Sequence, residues 1–170
     1  MGVMEGGGSG WFLAHWMTHG APPMDALAVD SRRFGPWADR DYRVQKAIEC
    51  FGLQFGVHYP HEERPAARGI RLTPLYGLMK DRGAVMGAAF GWERPNWFGP
   101  DGAAAEDVYS MGRQNWFGPV GDEHRHVREK VGIFDQSSFA KYERTGADAL
   151  TALAWICAND VTKPVGRLTY

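Results

Sequence analysis

Hydrophobic and polar positions along the chain change period several times, and each change predicts an element. Residues Trp11-Phe-Leu-Ala-His-Trp-Met17 are apolar almost all round, the pattern of a short helix buried on most sides. Gly20 stands where a helix closes on a left-handed residue, and Pro22-Pro23 stops it beyond. Residues 28–40 carry no period and hold the turn-prone Gly35-Pro36, so they read as loop. Val44, Ile48 and Phe51 then share one face of a helix over 41–51, with Asp41 as its N-cap. Leu53, Phe55 and Val57 alternate as a strand would, and His61 to Gly69 reads as a polar connector. Leu75, Leu78 and Met79 predict a helix after Pro74 that ends near Gly83.

From 91 to 121 Gly, Pro, Trp and Asn dominate, which predicts an ordered loop held by its aromatics around a polar insert at 101–107. The pentapeptide NWFGP occurs there twice, at Asn96–Pro100 and at Asn115–Pro119. The flanks of the two copies differ, and a solenoid repeats a whole supersecondary unit at least three times, so this is a local echo of similar turns. The two copies read as the stems of one excursion whose aromatics pack on a shared core. Val127 and Val131 predict a helix over 122–131, Ser137 to Arg144 is a strand candidate, and Leu150, Leu153, Ala154 and Cys157 predict a helix over 148–157. Leu168-Thr-Tyr170 reads as a further strand. Helices and irregular strands in this order predict an α+β fold.

Composition narrows the class. A chain of 170 residues with 44% hydrophobic and 23% charged residues has an ordinary globular balance. A net charge of −1 offers no basic field for nucleic acid. No apolar run is long enough to span a bilayer, and the N-terminus has neither the charge order of a signal peptide nor that of an Arg-rich transit segment. Two cysteines far apart, Cys50 and Cys157, make free thiols in a reducing compartment, and both fall at apolar helix positions that suit a core. These features predict a soluble, intracellular protein of the cytoplasm.

Chemistry candidates are few. Glu5-Gly-Gly-Gly-Ser-Gly10 precedes the first helix, and two readings stand. Its N–H groups and the helix dipole suit a phosphate or a cofactor atom that gains negative charge. Alternatively, glycine only permits a tight turn. The stretch is not a dinucleotide fingerprint, because Trp11 takes the place of the last glycine and no strand precedes it. His58-Tyr-Pro-His61-Glu-Glu63 follows no helical face, and His124 and His126 point apart on a helix, so no metal site is expected. No serine elbow or Cys–His signature is present.

Several blocks in series resemble a known family. Gly6-Gly-Gly-Ser-Gly-Trp-Phe-Leu-Ala-His-Trp16, Gly20-Ala-Pro-Pro-Met-Asp25 and Asp30-Ser-Arg-Arg-Phe34 resemble the end of the flavin domain of dimethylglycine and sarcosine dehydrogenases. Arg71-Leu-Thr-Pro-Leu-Tyr76, Arg82-Gly-Ala84 and Phe90-Gly-Trp-Glu-Arg-Pro-Asn-Trp-Phe98 are similar to the junction of that family with its folate-binding half. Val127-Arg128, Val131-Gly-Ile-Phe-Asp135, Ser137-Ser-Phe-Ala-Lys141 and Ala158-Asn-Asp-Val161 resemble the start of the aminomethyltransferase fold of the glycine-cleavage T-protein. The resemblance implies three modules, a flavin-domain remnant over 1–34, a central linker over 35–71 and the beginning of a folate-binding domain over 72–170.

It also implies FAD, a methylated amine substrate such as dimethylglycine or sarcosine, and tetrahydrofolate as one-carbon acceptor. Gly6, Gly7 and Gly8 would then face the flavin pyrimidine edge, and Tyr170 would lie on the strand leading to the folate cavity. The nucleotide-binding part and the acidic folate residue fall outside the blocks matched, so an interior fragment or split subunit, inactive alone, is expected, with a complementing subunit or self-association. A non-catalytic regulatory subunit and a folate-dependent aminomethyltransferase are the alternative expectations.

Overall fold

Local signals place most helices. The computed structural model describes residues 3–102 and 104–170; Met1 and Gly2 of the glycine-rich start and Ala103 of the polar insert lie outside them. The described residues form two compact units that divide between Ile133 and Phe134.

In the first unit, α1 spans Gly6–His19 and closes on Gly20, whose φ of 76° is left-handed and whose N–H returns to the Trp16 carbonyl. The glycines of the expected loop are therefore the first turn of the helix itself. None of α1 is buried, against the expectation of burial on most sides, because little of the unit packs on it: the Arg32 guanidinium stands over the Trp16 ring at 4.8 Å. Arg32 is in turn forked onto Asp30, which also caps the short 3-10 turn Ser31–Arg33 through the Arg32 N–H.

α2 covers Arg40–Gly52 and is capped by Asp39, two residues before the expected Asp41, with the Tyr42 N–H donating to Asp39 Oδ1 at 2.8 Å. Its inward face is Tyr42, Lys46 and Glu49, spaced 4 and 3 apart; Val44, Ile48 and Phe51 face outward and exposed. The strand expected around Phe55 is absent. Two successive turns take its place, closed by Gln54 N–H to the Phe51 carbonyl and Gly56 N–H to the Leu53 carbonyl.

A short helix α3 (Tyr76–Asp81) turns at Gly83, φ +83°, into β1 (Ala84–Ala89), which pairs antiparallel with β2 (Trp92–Phe98). Phe90 and Gly91, both at positive φ, form the two-residue connection that matches strand twist. A bulge opposite Val85 and Met86 leaves Asn96 unpaired and accommodates Pro95, which has no N–H to give the ladder. Met79, Ala84 and Met86 form the small core, with Tyr76 and Phe98 packed on it. α4 (Phe117–Glu129) starts five residues before the expected Asp122, with Pro119 in its first turn, where a missing N–H costs nothing. The Glu123 carboxylate ties it to β2 by accepting from the Phe98 N–H at 3.0 Å.

The second unit contains α5 (Ala149–Ile156), preceded by Asp148. Ser137 to Arg144 and Leu168 to Tyr170 form no strand. Leu150, Leu153 and Cys157 were expected in a core but are exposed, and Cys50 of α2 is exposed as well, so neither thiol is a core residue. Helices with one small antiparallel sheet make the fold α+β.

Candidate functional site

A cleft of about 620 Å3 opens in the first unit between α2, the loop at 61–64, the β1–β2 hairpin and the start of α4. One wall carries Tyr42, Lys46, Glu49 and Cys50 from α2 with His61 to Arg64; the other carries Phe90, Asn96, Trp97, Asp107 and Trp116. The two NWFGP copies meet here. Trp97 and Trp116 lie 6.4 Å apart between ring centroids, so the shared aromatic packing is present. Their backbones differ, however. The first copy finishes a strand and the second opens a helix, which overturns the expectation of similar turns.

Carboxylates fasten the walls. Glu63 accepts from the Asn96 amide at 2.8 Å and from the Ala88 N–H at 3.1 Å, so the bulged Asn96 is aimed at the opposite wall. Asp107 accepts from Trp97 Nε1 at 2.8 Å and from the Tyr109 hydroxyl at 3.2 Å, while the Glu63 N–H donates to that same hydroxyl. Burial raises the Tyr109 phenol above its ordinary value, and the Asp107 carboxylate adds to the effect. Asn115 clasps the intervening loop, accepting from the Val108 N–H and donating to the Glu106 carbonyl. Glu49 accepts from the Ala66 N–H at 2.7 Å and pairs with Lys46 at 2.9 Å. Burial pushes the Glu49 carboxyl upward, but these donors prevail and hold it below the ordinary range.

Behind the cleft, Arg68 forks onto Glu93 with bonds of 2.7 and 2.6 Å, and the Gly69 N–H adds a third at 2.8 Å. Glu93 is 3% exposed. Burial drives its carboxyl up, yet the Arg68 guanidinium and Gly69 outweigh it and leave the value lowered. Arg71 lies over the Trp92 ring at 4.1 Å and the Trp37 ring at 5.1 Å.

The residues expected from sequence lie elsewhere. Gly6, Gly7 and Gly8 are the first positions of α1, where N–H groups have no partner within the helix. A Cβ on any of them would meet no atom within 4 Å, so packing in this chain does not require glycine there. The 3-10 turn Val3–Glu5 runs directly into these positions, and the space beside their Cα atoms is open. Tyr170 belongs to the second unit, is 95% exposed, and is held through its carbonyl by the Asn159 amide. No group of metal-ligating side chains occurs among the described residues, and none of their helices is long and apolar enough to cross a membrane. The cleft itself escaped sequence reading, because bonds between residues 17 to 46 positions apart hold its walls; the repeated Asn-Trp pairs were its one visible trace.

Comparison with known proteins supplies the context. Residues 19–73 match the FAD dependent oxidoreductase central domain, and residues 75–170 match the GCVT N-terminal domain. The chain is 39% identical over 163 residues to mitochondrial dimethylglycine dehydrogenase of Rattus norvegicus, covering 95% of this chain and 19% of that protein. It is 31% identical over 195 residues to mitochondrial sarcosine dehydrogenase of Homo sapiens, covering 99% of this chain and 21% of the relative. It is also 33% identical over 175 residues to the mitochondrial pyruvate dehydrogenase phosphatase regulatory subunit of Mus musculus, at 99% and 20%. The chain thus spans about a fifth of the length of these relatives.

Proposed function

This chain belongs to the dimethylglycine and sarcosine dehydrogenase family, and from that premise we propose that it works as the junction segment of an FAD-dependent oxidative demethylase of N-methylglycines. The one-carbon unit released from dimethylglycine or sarcosine passes to tetrahydrofolate. The observation that carries this reading is the consecutive order of the two matched domains, flavoprotein central domain and then GCVT domain, in one chain. FAD, when bound, supplies the hydride acceptor. The N–H groups of Gly6, Gly7 and Gly8 at the start of α1 offer a fixed dipole to the edge where negative charge collects. Tyr170 offers its ring to the pterin of the folate. The modules run over 1–34, 35–71 and 72–170, and further polypeptide supplies the nucleotide site and the remaining folate lobe. Either a cytoplasmic or a mitochondrial matrix compartment keeps Cys50 and Cys157 as the free thiols they are here.

Two titrations test the proposal. FAD and tetrahydrofolate are added to the purified chain while flavin and tryptophan fluorescence are followed, first alone and then with the missing parts supplied from a full-length relative. Weak cofactor retention alone and dimethylglycine or sarcosine demethylation in the complemented mixture are expected. Absence of turnover despite a stable complex would sink the catalytic reading. It would favour a regulatory role instead, which the similarity to the phosphatase regulatory subunit supports.

A further inference from the structure

The boundary between the two matched domains, at residues 73 and 75, has the position of a linker. Its structure is that of a splice. The Arg71 N–H donates to the Gly91 carbonyl at 3.1 Å and the Glu93 N–H donates to the Arg71 carbonyl at 2.8 Å, which makes Arg71 a parallel partner of Trp92. Three residues earlier Arg68 reaches across to the Glu93 carboxylate and to the Met86 carbonyl at 2.8 Å, so it touches both strands of the hairpin. The end of the central-domain segment is thereby built into the first sheet of the GCVT segment, and both lie in one compact unit.

We propose that Glu93 is the positioning residue of this splice: with Arg68, Gly69 and Arg71 it locks the central-domain segment onto the GCVT hairpin and fixes the two walls of the cleft. Several constraints converge on it. Its side chain takes the Arg68 fork and the Gly69 N–H while its own N–H binds Arg71, so one residue closes contacts to three positions upstream of the boundary. Arg71 is clamped further between Trp37 and Trp92, one ring from each matched segment. The lock sets spacing across the cleft, because α2 and the 61–64 loop lie before the boundary and Asn96, Trp97 and Trp116 lie after it. A swinging linker would open and close that cleft, whereas a splice holds it at one width.

Amide hydrogen exchange on the full chain tests this, with no cofactor involved, so the result stands or falls apart from the catalytic reading. In the wild type, the Gly69 and Arg71 amides exchange as slowly as the Gly99 amide, which donates to the Gly83 carbonyl beside the hairpin, and far more slowly than the turn amide of Gly56. Glu93→Gln keeps the shape but removes the charge, and Arg68→Lys removes the fork. Each speeds Gly69 and Arg71 by about tenfold or more, the scale of a lost charge-assisted hydrogen bond, and leaves Gly99 unchanged. Wild-type Gly69 and Arg71 exchanging as fast as Gly56 overturns the proposal, as does equal acceleration of Gly99 in both variants. Should a variant fail to fold, the wild-type comparison alone decides.

Discussion

At the scale of single residues, burial and partnering compete at each carboxylate, and the winner sets a pH dependence. Glu93 and Glu49 both sit below the ordinary value of 4.5 once their donors have offset desolvation. A carboxylate lowered on folding stabilises the fold above its unfolded value and loses that contribution as pH falls through the folded one. Stability to urea is therefore expected to hold from neutral pH to about 5 and to decline in more acid solution. Glu93→Gln flattens that acid limb, and a variant with the wild-type slope would show that Glu93 is not its source. The cap of α2 gives a second residue-scale expectation. Asp39→Ala leaves the Tyr42 N–H without its acceptor and costs about 1 kcal/mol in denaturant unfolding. Asp41→Ala costs only a few tenths of that scale, since its contribution is limited to the helix dipole. Equal losses in the two variants would contradict the observed cap.

Among elements, those legible in the sequence carry their own signals. α2, α3 and α5 lie within a few residues of their expected bounds because caps, glycines and helical spacing are local devices. The hairpin was not legible: Ala84-Val-Met-Gly-Ala-Ala has no clean alternation, and Trp92–Phe98 contains a proline. NWFGP makes the reason concrete. One pentapeptide becomes the end of a strand beside Ala84 and Val85 and the opening of a helix elsewhere, so partners rather than propensity decide. The same limit hid the polar inward face of α2, where Glu49 waits for an N–H supplied 17 residues later. The hairpin turn offers the element-scale test. A Cβ on Gly91 would lie 2.5 Å from the Trp37 ring, at φ +77°. Gly91→Ala therefore displaces the ring from Arg71 and strains the turn, at a cost of about 1–3 kcal/mol. Tryptophan emission and the urea midpoint should shift together, and an unchanged midpoint would refute the contact.

For the whole molecule, the distribution of apolar surface matters more than its amount. The described core is small, centred on Met79, Ala84 and Met86, while large apolar side chains crowd α1 and α5 on the outside. On α5 Trp155 is 89% and Ile156 70% exposed, and on α1 Met17 is 78% exposed. The sequence reads α1 as buried on most sides and α5 as buried on the side of Leu150, Leu153, Ala154 and Cys157, yet both helices stand open here. Contiguous apolar faces of this kind draw other polypeptide, whether a complementing part of the family's fold or a second copy. The isolated chain is expected to self-associate with rising concentration in sedimentation velocity. Replacing Trp155 and Ile156 together by serine should shift the distribution toward monomer without changing the helical circular dichroism of α1, α2 and α4. A complementing polypeptide would compete for the same faces and give the same shift in the unaltered chain. A chain that stays monomeric across the accessible range, with or without the two serines, would mean that these faces do not draw a second copy.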